Sequence, residues 1–138
     1  MKFDITVQTP RGNYNFSGEA QLTKNAQSRF IEREFYEKNC PKGTIPQGDH
    51  HEIELLKPII KRPATTRLHI HVHPRTKKEY VCWTGSLPTI KAAQSLFRMW
   101  CVGTAYALTH DADFAPLYKG DVEAFLTLME ETYLIKII

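Results

Sequence analysis

The chain has 138 residues, 42% of them hydrophobic and 24% charged, which excludes a disordered or fibrous polymer and suits one domain, residues 1–138, with a buried core. A net charge of +3 permits an anionic partner but falls short of the dense positive field of a dedicated nucleic-acid binder.

Phe3, Ile5 and Val7 alternate with polar neighbours, which predicts a half-buried strand. Pro10 to Asn13 is a turn, after which Tyr14 and Phe16 resume the alternation. With Arg11 and Gly12 as the central residues, Val7 falls opposite Phe16 and Thr9 opposite Tyr14. Thr23 reads as an N-cap and Lys24 to Lys38 as a helix, with Leu22, Ala26, Phe30, Ile31 and Phe35 in its apolar stripe and a stop at Asn39 before Pro41. Gly43 to Asp49 is a loop, and His51 to Leu56 alternates weakly, as a third strand would. Prolines interrupt the basic connection that holds Lys57, Lys61, Arg62 and Arg67.

Leu68-His69-Ile70-His71-Val72-His73 then alternates aliphatic residue and histidine. On a strand this puts the imidazoles on one face and Leu68, Ile70 and Val72 on the other, toward a core. With Arg75-Thr76 at the turn, His73 pairs with Lys78, His71 with Tyr80 and His69 with Cys82. One face carries Arg67, His69, His71, His73, Lys78, Tyr80, Cys82 and Thr84; the other carries Val81 and Trp83 besides the aliphatics, interrupted by Glu79.

Ser86 reads as the cap of a long helix with Pro88 in its first turn, and the uncharged run Met99 to Leu108 places that helix at the centre of the fold. His110 to Asp113 closes it. Asp121 caps a last helix bearing Val122, Phe125, Leu126 and Met129, and the tail Tyr133 to Ile138 fits either helix or strand. The elements together predict an α+β domain with a mainly antiparallel sheet of about five strands, one face packed by two to three helices. Cys40, Cys82 and Cys101 show no CxxC spacing, which argues against a zinc ribbon or a disulfide framework. Their odd number, and a start without an apolar leader, point to a cytoplasmic setting, and no apolar run approaches the ~18 residues of a membrane span.

Function centres on the histidine face. Imidazoles with Arg67, Lys78 and Tyr80 offer donors, charge and a ring, a surface for nucleic acid or for an acidic protein surface, so the leading expectation is a binding module without a catalytic role, an accessory or inhibitory protein among the options. The alternative is a divalent metal (Zn, Mn or Mg) held by two or three of His69, His71 and His73, with a further ligand from His50, His51, Glu52, His110, Asp111 or Asp113. His71-Val72-His73 with Glu79 and Gly85 is similar to the first cupin motif, but Glu79 lies one residue too far and helices follow where a cupin has strands. His69-Ile70-His71, or His71-Val72-His73, also resembles the His-hydrophobic-His motif of HUH endonucleases. That resemblance implies a histidine-bound metal at a scissile phosphate and a tyrosine nucleophile, for which Tyr133 followed by Lys136 has the spacing.

Overall fold

The computed structural model describes residues 1–24, 30–40, 45–46, 48–59, 67–82 and 86–138, the side chains of 30–32 excepted. In chain order the elements are β1 (Lys2–Thr9), β2 (Gly12–Thr23), α1 (Phe30–Asn39), β3 (His50–Leu55), β4 (Ile70–Val72), β5 (Glu79–Val81), α2 (Ile90–His110), α3 (Val122–Tyr133) and β6 (Lys136–Ile137), with a short 3-10 turn at Ala115–Leu117. The strands form one six-stranded antiparallel sheet in the order β4-β5-β3-β2-β1-β6. With three helices packed on it, this is an α+β fold.

The first hairpin forms where alternation predicts, in a different register. Val7 lies opposite Tyr14 and Ile5 opposite Phe16, and Pro10-Arg11 makes the loop between Thr9 and Gly12. Thr9 fixes this tighter turn: its hydroxyl donates to Gly12 O at 2.7 Å and accepts from Arg11 N–H at 3.1 Å. A slip of two residues leaves every side chain on its face, so the apolar pattern alone does not choose between the two registers. Thr23, expected as a helix cap, is instead the last residue of β2, buried and paired with His50. Part of the predicted helix, 25–29 with Ala26, lies outside the described residues, as do Trp83 and Thr84.

One sheet face carries Phe3 and Val7 of β1, Phe16 and Ala20 of β2 and Ile53 of β3, all buried against α2. Thr89, not Ser86, caps α2, accepting from Ala92 N–H at 3.1 Å. Ser86 sits three residues too early because the segment around Leu87 is held to β3 before the helix begins. Phe97 and Trp100 stack at 5.9 Å, and Trp100 meets Phe16 edge-on at 5.6 Å; burying each large ring contributes about 2–3 kcal/mol. Gly18 permits this approach, since a Cβ there would stand 2.8 Å from the Phe97 ring.

Asp121 caps α3 as predicted, accepting from Ala124 N–H at 3.0 Å. The tail is both things expected of it. Leu134 turns left-handed (φ 58°), ends α3 and drops Ile135 into the core. Lys136 and Ile137 then pair with Gln8 and Val7 as an edge strand. α1 packs on the opposite sheet face, where Phe35 and Tyr36 form a second cluster with Tyr80. Among the described residues no helix is long and apolar enough to cross a membrane.

Candidate functional site

The β4–β5 hairpin has the register that its sequence predicts. His71 lies opposite Tyr80, His73 N–H donates to Lys78 O at 2.8 Å, and Cys82 N–H donates to His69 O at 2.8 Å. The loop closes with Lys77 N–H on His73 O at 2.9 Å, Lys77 being left-handed (φ 62°). His73 Nδ1 accepts the N–H groups of Arg75 and Thr76 at 3.2 and 3.3 Å, which leaves the imidazole holding its own turn.

The three imidazoles do not share a face. His69 is left-handed (φ 55°), which breaks the alternation and ends β4 at Ile70. Its ring swings to the α2 side, where Nε2 lies 2.8 Å from Asp113 Oδ1 and the ring meets Phe114 at 5.0 Å. Burial opposes the Asp113 charge, but the Ala115 N–H, His69 and Arg67 outweigh it and hold the carboxyl below its ordinary value. His71 stays on the α1 side, edge-on to Phe35 at 6.0 Å, with an Nε2 that is closed to solvent and has no hydrogen-bond partner among the described residues. Burial, then the charges of Arg67 and His69, lower its pKa. His73 stacks on Phe35 at 5.4 Å and 12°. Of the aliphatic partners, Leu68 is buried and Ile70 packs on the core, whereas Val72 is exposed because the core ends before the hairpin tip.

These positions undo the proposed ligand set. Among the described residues no three His, Cys, Asp or Glu side chains are grouped as metal ligands. His69 and His71 are aimed to opposite sides of the sheet. His50 and His51 are both committed to Leu87: His50 Nδ1 accepts its N–H and His51 Nδ1 meets its carbonyl, each at 2.9 Å. Asp111 is the left-handed cap of α2. Tyr133 ends α3 with its ring against Tyr106 and His110 at 4.9 and 5.5 Å, and it feeds β6, the edge strand at the far end of the sheet from β4. Cys82 pairs with His69 through backbone only. Burial raises the Cys82 thiol, and Arg67 is the group that moderates it.

Tyr80 does not lie on an open platform, since α1 covers it and leaves it 7% exposed. What α1 leaves uncovered is a cleft of about 350 Å³ on the same face, floored by Tyr80 and Phe35 and bounded by Gln21, Thr23, Glu52, His73, Arg75, Thr76 and Lys78. It unites His73, Lys78 and Tyr80 from the predicted set and excludes Arg67, His69 and His71. Arg75 Nη2 lies 3.4 Å from Glu34 and Lys78 Nζ lies 3.6 Å from Glu54, whose carboxylate also accepts from Gln21 at 2.6 Å.

No protein-family model, curated protein or solved structure matches this chain. The site therefore rests on its own geometry. Below α1, a cavity of about 20 Å³ is lined by Tyr36, Cys40, His50, His71 and Leu87, room for one water. The residues at the cleft that the predicted binding and ligand sets left out are Gln21, Leu22, Thr23, Phe35, Arg75 and Thr76. Phe35 was visible as a stripe residue, but the stripe does not say which sheet face it covers.

Proposed function

We propose that this chain is a binding module without a catalytic role, whose cleft under the β4–β5 hairpin engages an acidic segment of another protein. The convergence of His73, Arg75 and Lys78 on one recess carries this reading. The side chains of Arg75 and Lys78 are 58% and 51% exposed. An exposed pair such as that of Arg75 with Glu34 is worth about 1 kcal/mol or less, so an incoming carboxylate exchanges with Glu34 at little loss, whereas Glu54 is mostly buried and keeps its Gln21 bond. Gln21, Thr23 and Thr76 add hydrogen-bonding groups at the rim. Phe35 and Tyr80 are both buried, so the cleft offers no free ring for a base to stack on, and an acidic peptide suits it better than a nucleic-acid strand.

The test is titration of a labelled hexaglutamate peptide, with a short oligothymidylate as competitor. Binding that weakens with salt and falls about tenfold in an Arg75→Ala, Lys78→Ala double variant supports the reading. Binding unchanged in that variant, or an oligonucleotide that binds more tightly than the peptide, overturns it.

A further inference from the structure

The hydrogen-bond phase of the β4–β5 ladder leaves half of β4 unused. His69 O and His73 N–H bond inward to β5, with His71 opposite Tyr80 between them. In an antiparallel ladder the intervening residues then turn both backbone groups outward, which here means Ile70 and Val72. β4 is the edge of the sheet order, and among the described residues no further strand pairs with it. Edges of this kind are blunted by shortness, by proline or by inward-pointing charge; β4 is short, three residues, but Ile70-His71-Val72 carries neither proline nor formal charge, and Val72 is 47% exposed beside it.

The two sides of this edge differ. On the α1 side stand His71, His73 and Arg67, the last hydrogen-bonded to Cys82, and none of these carries negative charge. On the α2 side stand Ile70 and the exposed Val72. We infer that β4 is a docking edge for an extended segment of a partner protein that alternates acidic and apolar residues. The segment adds as a further strand, exchanging main-chain bonds with Ile70 and Val72, with carboxylates toward Arg67 and His73 and apolar groups toward Val72. This rests on the acidic-partner reading above and gives that partner a conformation and a second contact.

The experiment uses a fluorescein-labelled heptapeptide of alternating aspartate and valine. Three results are expected at saturating peptide. Exchange of the Ile70 and Val72 amide protons slows about tenfold or more; N-methylation of one alternate set of peptide amides weakens binding about tenfold while methylation of the other set does not; and Val72→Pro causes the same loss. The proline removes only an outward N–H, so the variant keeps its ladder, checked by its circular dichroism. Binding with Ile70 and Val72 exchange unaltered, and with both methylated series equal, overturns the edge while leaving the cleft reading intact. Hexaglutamate binding without heptapeptide binding does the same. Failure of both peptides to bind removes both proposals.

Discussion

Replacing His50 with Asn should flatten the acid limb of the stability profile. His50 is 5% exposed, and its Nδ1 can accept the Leu87 N–H only while that nitrogen is unprotonated. Burial, with a smaller contribution from His51, lowers its pKa from 6.5 to about 4. In that window the unfolded chain holds the proton and the folded chain does not, so stability falls as pH falls from the upper value and levels off below the lower one. The gap is worth about 3 kcal/mol in all, of which about 2 kcal/mol is expressed between about pH 7 and pH 4.5. An Asn amide oxygen can still accept from Leu87 but does not titrate. Urea unfolding of wild type and His50→Asn at both pH values should show the wild type losing about 2 kcal/mol more than the variant over this range. Equal losses would refute the assignment of the acid sensitivity to the His50–Leu87 bond.

Trp100→Phe deletes the indole N–H that Leu68 O accepts at 2.9 Å, and should cost about 1–3 kcal/mol in denaturant unfolding while speeding amide exchange at Cys82, whose N–H bonds to His69 next in the chain. Gly103→Ala places a Cβ 2.5 Å from the Phe114 ring, so unfolding experiments should find it destabilised by about 1–3 kcal/mol despite a gain in helix propensity of about 1 kcal/mol. Leu134→Gly relieves a left-handed, 67% exposed leucine and should raise stability by about 0.5–1 kcal/mol, read as a higher melting temperature.

The helices α2 and α3 were legible because their apolar residues recur at helical spacing and their stops are polar. The pairing of His71 with Tyr80 was legible because the turn at Arg75-Thr76 sets the register, which alternation alone fixes only to within two residues. His69 was not: nothing in Leu68-His69-Ile70 signals a left-handed residue, and that single rotation takes one imidazole from the presumed row to Asp113. Nor was the cover over Tyr80 visible. Amphipathicity states that α1 must bury Phe35, but both faces of the sheet can receive it, and only the folded chain shows that it took the histidine side. The clamp of His50 and His51 on Leu87 joins positions 36 residues or more apart, a separation over which local patterning carries no information.

The pairing of β6 with β1 has a consequence for synthesis. Val7 meets Ile137, so β1 stays without its β6 neighbour until residues 136 and 137 have left the ribosome. The early hairpin can zip locally, but sealing its outer margin requires closure of a very long loop, an entropic burden that short-range contacts do not share. A nascent chain stalled before residue 135 would therefore show a naked β-margin around Val7, the kind of surface that chaperones hold and that neighbouring chains on a polysome can misuse.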